Sequence, residues 1–197
     1  LPVSNRARRN LALALPELGA SEHEAIVRAM WDNLGRVFAE MPHLDAIIAS
    51  GRVTVDADQV AQMQAAKDAG QAILFVGAHL SNFEVCGRVA ARYGFPQAVI
   101  YRRANNPLVD DFFRQLRGEQ VLLPKGAEGF RDVRKVLADG GNLGMLIDQK
   151  LNEGAAIPFF GRDAMTTTAP AQMAARYKAA LFVGRVMRLG PARYRVT

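Results

Sequence analysis

The chain has 197 residues, half of them hydrophobic, and carries 25 lysines and arginines against 19 aspartates and glutamates, a formal net charge of +6. That length and apolar content suit a single folded core and exclude a disordered or low-complexity chain. One cysteine, Cys86, excludes an internal disulfide and a cysteine metal cluster, and the three histidines, His23, His43 and His79, are too scattered for a recognisable metal site.

Arginine outnumbers lysine several-fold, which suits an anionic partner as well as an ordinary solvated surface, so basicity alone separates nothing. No apolar run approaches the ~20 residues that cross a bilayer, and Arg6, Arg8 and Arg9 leading into LALALPEL do not make a signal peptide. The chain starts without methionine and stops on RYRVT, which reads as the middle of a strand; the expectation is truncation at both ends.

In chain order, residues 4–15 read as a basic, then apolar helix, suited either to an anionic membrane surface or to docking on the domain. A second helix is expected from a Ser21 cap, with Glu24 three residues on, to the Pro42 region. Ile26, Met30, Trp31, Leu34, Val37 and Phe38 recur at helical spacing as its core face, a lipid-binding face being the alternative. Residues 43–51 suggest a short helix and turn, 52–55 a short strand, and 58–69 a helix closed by Gly70.

Residues 72–89, AILFVGAHLSNFEVCGRV, organise the rest. The run 72–76, bounded by Gly70 and Gly77, reads as a strand buried on both faces, and Gly77 and Ala78 permit a tight turn. Ser81 followed by Glu84 has the form of a capping box that opens a helix. His79 then lies in the turn and Glu84 in the first helical turn. Two readings of Glu84 stay open: it serves the cap, or it bonds the His79 imidazole and orients it as a general base for a hydroxyl that the substrate supplies.

Beyond this stretch strands at 98–101, 121–123 and 143–147 alternate with helices at 107–116 and 130–138. An irregular loop over 150–167, a helix at 171–178 and strands at 181–187 and 192–196 follow, the last two forming an edge hairpin. The expected fold is therefore α/β, a largely parallel mixed sheet flanked by helices. It is a single domain over residues 1–197, with a helical part to residue 50 and the α/β core from 51. Parallel sheets place ligands outside the carboxyl ends of their strands. His79, Arg102 with Arg103 and Asn105, and Asp148 with Gln149 and Lys150 all fall at such exits. There is no GxSxG elbow, no GxxxxGK loop and no GxGxxG after a strand, so serine hydrolase, P-loop and dinucleotide readings lose their support.

The hexad HLSNFE, His79 to Glu84, resembles the HX4(D/E) box of the glycerolipid-type acyltransferases. With RARRNLALALPEL, YRRANNPLVD, LIDQK and PFFGRDAMTTTAPAQMA in this order, nearly the whole chain is similar to the bacterial lipid A late acyltransferases, the lauroyl and myristoyl transferase group. The resemblance implies transfer of an acyl chain from an acyl carrier protein thioester to a hydroxyl of a phosphorylated glucosamine lipid, at the cytoplasmic face of the inner membrane. No cofactor or metal is implied. His79 would be the base and Glu84 its orienting carboxylate. Asn82, Arg102, Arg103, Asn105, Asp148, Gln149, Thr167 and Thr168 would bind substrate, the arginines through phosphate or another anion, the threonines at a helix N-terminus.

Each assignment has a plainer counterpart: Asp148 as a turn cap, Arg102 paired with Asp110 or Asp111 on the surface, PFFG as loop packing. A glycerophospholipid acyltransferase is the nearest alternative function. A noncatalytic lipid or nucleic-acid binding protein is the alternative of another class, although no nucleic acid is expected as partner.

Overall fold

A computed structural model describes residues 2–197. Its frame is a five-stranded, fully parallel sheet in the order β4-β3-β5-β2-β8. The strands are β2 (Ile73–Gly77), β3 (Gln97–Tyr101), β4 (Leu122–Pro124), β5 (Asn142–Leu146) and β8 (Ala180–Val183). The interior strand β2 is short and apolar because both its faces are covered. Leu74, Val76 and Leu143 point to the layer holding α7 (Ala127–Ala138) and α8 (Ala169–Tyr177), where they pack with Val133, Leu137 and Met173. Ile73 points the other way, to Met63 and Ala66 of α4 (Ala57–Asp68). Ile73, Leu74 and Leu143 are fully buried; each contributes roughly 1.5–3 kcal/mol over an exposed position.

A second, three-stranded sheet joins β1 (Val53–Val55), β10 (Arg193–Val196) and β9 (Val186–Gly190) in the order β1-β10-β9. Between the two sheets lies α5 (Glu84–Arg92). Its Val85 and Val89 pack with Leu44, Ile47 and Ile48, the last three from α3 (Leu44–Ala49), and with Val186 and Tyr194 of the second sheet. The N-terminal helices α1 (Pro2–Ala14) and α2 (Ala20–Glu40) pack together through Arg8 to Glu24 at 2.7 Å and Trp31 to the Ser4 hydroxyl at 3.1 Å.

Five expectations are corrected. Residues 150–167 are not irregular: β6 (Ala155–Phe159) and β7 (Arg162–Thr166) form an antiparallel hairpin turned at Phe160 and Gly161, both at positive φ. The strand expected over 181–187 divides, because β8 joins the main sheet and β9 the second. The terminal hairpin β9–β10 therefore belongs to a separate sheet rather than to the main sheet's edge. Helix α2 starts after Gly19, whose backbone N–H donates to Glu22, rather than from a Ser21 cap. Of its expected core stripe only Val37 is buried; Trp31 and Leu34 are half-buried and Ile26, Met30 and Phe38 exposed, while Val27, outside that stripe, is covered.

Candidate functional site

The chain passes from β2 through α5 to β3, then outward through α6 (Pro107–Arg117) to β4. It returns through α7 to β5, which inserts between β3 and β2. The carboxyl ends of β2 and β5 thus stand side by side where the strand order reverses, the usual place for a ligand crevice in an open α/β sheet. In register, Gly77 lies opposite Leu146, and Ile147 donates to the Gly77 carbonyl at 3.0 Å. Two residues further along each strand are His79 and Asp148.

Asp148 holds the histidine at two points. One carboxylate oxygen lies 2.7 Å from His79 Nδ1 and the other accepts the His79 backbone N–H at 2.9 Å. With Nδ1 engaged by a carboxylate, the imidazole carries its proton there and presents Nε2 as a free acceptor. Phe83 meets the ring edge-on, centroids 4.8 Å apart, and limits its tilt. The ring is 36 % exposed and borders a cavity of about 850 Å³ that also reaches Arg102, Gln149, Lys150 and Thr167. Below the mouth its walls are the inner face of the main sheet, including Phe75, Val99 and Phe182, and the facing side of α5.

The carboxylate bonded to the His79 ring is thus that of Asp148, whereas the sequence reading gave that contact to Glu84. Glu84 forms a two-point pair with Arg117, Oε1 to Nη2 at 2.5 Å and Oε2 to Nε at 3.2 Å, and both side chains are largely buried. It is not a capping acid for Ser81 either. Helix α5 begins after Phe83 without a side-chain cap, and Ser81 sits at φ 54° with its carbonyl accepting Asn33 of α2 at 3.0 Å. Tethering from α2 sets this loop, overriding the local capping pattern.

Asn82 belongs to the same tether. It is fully buried and donates to Glu40 at 2.8 Å, so it faces the interior rather than a substrate. Glu40 also accepts from Arg188 at 2.6 Å and from the Tyr194 hydroxyl. Burial favours the neutral form of Glu40, but the hydrogen bonds from Arg188, Tyr194 and Asn82 outweigh it and hold the carboxyl below its ordinary range. Burial, then the bond to Glu40, raises the Tyr194 phenol. Cys86, on the cavity wall, is pushed by burial up to about 11 and is a thiol at neutral pH.

Of the remaining expected residues, Arg102, Gln149 and Thr167 reach the cavity, while Arg103, Asn105 and Thr168 do not border it. Thr167 Oγ1 accepts the Ala169 N–H at 3.3 Å, and Thr168 accepts from Gln172 at 3.1 Å. Asn106 caps α6 through Leu108 N–H at 3.0 Å, and Asp110 accepts the Ala104 N–H rather than Arg102. Sequence reasoning missed Arg117. It borders both the large cavity and a cleft of about 250 Å³ between α2 and α6, which shares Phe83, Glu84, Tyr101 and Arg102 with it. Its position at the end of an amphipathic helix gave no sign that it turns inward.

The arrangement offers an imidazole held in one tautomer, a largely apolar cavity beneath it, and two guanidiniums, Arg102 and Arg117, on the cavity wall. Residues 2–197 match the family described as bacterial lipid A biosynthesis acyltransferase. A search of curated proteins found no matching relative.

Proposed function

Since that match spans the chain, the protein belongs to the bacterial lipid A biosynthesis acyltransferases. We propose that it moves a fatty acyl chain from an acyl carrier protein thioester to a hydroxyl of a phosphorylated glucosamine lipid, with His79 as general base and Asp148 as its orienting partner. The observation that carries this reading is the Asp148–His79 pair at the mouth of the large apolar cavity.

The acyl chain lies in the cavity with its thioester carbonyl at the mouth. The acceptor hydroxyl gives its proton to His79 Nε2 as its oxygen bonds the carbonyl carbon. Collapse of the tetrahedral intermediate breaks the carbon–sulfur bond, and the leaving thiolate takes the proton from the imidazolium, so ester and thiol form with no net proton change. Asp148 stabilises the imidazolium between these steps. Arg102 and Arg117 suit the acceptor's phosphate, as guanidinium forks pair well with phosphate oxygens. Glu84 fixes Arg117 in the direction that its bidentate pair defines.

Location at the cytoplasmic face of the inner membrane agrees with exposed apolar groups at two exits of the sheet's carboxyl edge. Helix α6 presents Leu108, Val109 and Phe112 beside the exposed Arg103 and Arg114, and the β6–β7 hairpin presents Phe159 and Phe160. This pairing of apolar and basic groups suits an anionic lipid surface. No helix among the described residues is long and apolar enough to cross a membrane.

The test is mass spectrometry of products, with acyl carrier protein and coenzyme A thioesters as donors and lipid A precursor and lysophosphatidate as acceptors. An acylated precursor formed from the carrier-protein donor, and lost in His79→Ala, is the expected result. Preference for lysophosphatidate would move the assignment to a glycerophospholipid acyltransferase.

A further inference from the structure

The large cavity is not apolar throughout, for Gln97 and Gln120 are part of its wall. Gln97 opens β3, is only 9 % exposed, and its Oε1 has no hydrogen-bond partner among the described residues. Two glycines make room for these amides. A β-carbon on Gly144 would collide with Gln97 Oε1; one on Gly87 would collide with Gln120 Nε2 and stand 3.5 Å from Gln97 Nε2. The two amides therefore converge in the slot between β5 and α5, at the places where each element lacks a side chain.

Their depth follows from the strand register. Gly144 pairs with Phe75 and lies two positions before Leu146, the partner of Gly77. That places the amides about 7 Å below the level of Gly77 and Leu146 along the strands, and deeper still from the His79–Asp148 pair two residues beyond. A saturated chain offers no donor to the orphaned Gln97 oxygen. Advancing methylenes past it would strip away any water the amides hold and return no hydrogen bond.

Resting on the acyl-transfer reading above, we propose that the converging Gln97 and Gln120 amides, seated over Gly144 and Gly87, are the floor against which the donor's acyl chain ends. They thereby set chain-length preference, and the substrate class is a saturated acyl thioester whose terminal methyl stops at the amides.

The test is kcat/KM across a series of saturated acyl carrier protein donors of increasing length. Gln97→Ala removes four side-chain heavy atoms beyond the β-carbon, so its optimum should move to donors about two to four carbons longer. The long-to-short ratio should rise by roughly tenfold. Gly87→Ala, a change that favours a helix, pushes the Gln120 amide into the slot and should move the optimum to shorter donors. An active Gln97→Ala enzyme with the wild-type length profile would overturn the proposal. If Gln97→Ala does not fold, an unchanged profile in Gly87→Ala overturns it equally. Such a result would leave the acyl-transfer reading standing; absence of acyl transfer by the wild-type protein would remove both.

Discussion

Replacing Asp148 by Asn changes one atom's chemistry at the place on which the mechanism depends most. The aspartate uses two equivalent acceptor oxygens, one for His79 Nδ1 and one for the His79 backbone N–H. An asparagine has only one oxygen. If that oxygen keeps the backbone N–H, the amide NH2 faces Nδ1, which must then accept; the ring proton moves to Nε2, where the acceptor hydroxyl needs a free lone pair. If the amide turns over, the backbone N–H loses its partner and the loop shifts. Either way the positioned base is lost, and a general base of this kind is worth about 10²- to 10⁴-fold in rate.

The stability effect should be small. Both side chains are more than a third exposed, 36 and 37 %, and pairs of that kind contribute about 0–1 kcal/mol. For a domain of this size that is a fall in Tm of about 2–4 °C at most. We therefore expect Asp148→Asn to lower kcat by at least ~100-fold, with KM for the donor little changed and a melting curve close to wild type. Steady-state kinetics with a fixed acyl donor, alongside circular dichroism melts, measures both. Turnover within threefold of wild type, in a folded protein, would refute the assignment of Asp148 as orienter. A full-sized kcat loss confined to Glu84→Gln would return that role to Glu84.

Other consequences can be checked on the same protein. Glu40→Gln leaves Arg188 without its carboxylate at a site where the pair is only 17 and 14 % exposed, so it should cost about 3 kcal/mol, or roughly 6–12 °C in Tm. Because the Glu40 carboxyl is lowered by folding, its ionisation contributes stability fully above the ordinary value of 4.5 and loses it as pH falls through the lower folded value. Melts from neutral to strongly acidic pH should show, in wild type, a stability loss that sets in below 4.5 and that Glu40→Gln lacks. Cys86, raised to about 11, should resist iodoacetamide at pH 8 in the folded protein and react once guanidinium unfolds it; rapid native alkylation contradicts this. Arg102→Ala should raise KM for the phosphorylated acceptor by about tenfold with kcat nearly unchanged, and equal loss with an unphosphorylated acceptor would deny it a phosphate-binding role.

Much of the fold is legible because its elements are punctuated locally. Asn106-Pro107 starts α6, Gly118 ends it, and apolar runs of about five residues mark β2, β3 and β5. What escapes is decided between distant segments. The β6–β7 hairpin has one strand, Ala155–Phe159, whose residues are mostly exposed and which includes Pro158, so no alternation with a buried face announces it. The division of 181–187 depends on Gly184, whose N–H bonds the Val76 carbonyl at 2.8 Å, while Arg185 exchanges backbone bonds with Thr197. Two different sheets claim adjacent residues, and no local propensity encodes that.

The site follows the same division. His79 is evident from a turn histidine after a buried strand, and Asp148, Gln149, Arg102 and Thr167 from their places after strands or before a helix. The identity of the histidine's partner is not evident, because Glu84 is its neighbour in sequence while Asp148 is 69 residues away. That separation is also the offset of the β2–β5 pairing, in which Gly77 faces Leu146. The dyad is thus the parallel register carried two residues beyond the sheet, and strand pairing is the knowledge that the hexad alone cannot supply. It follows that the geometry of the His79–Asp148 pair is stored in the backbone ladder of β2 and β5 rather than in the turn. Helices α5, α6 and α7 can vary in length without moving the pair, whereas a slip of one residue between β2 and β5 would shift His79 from Asp148 by about 3.3 Å and separate them.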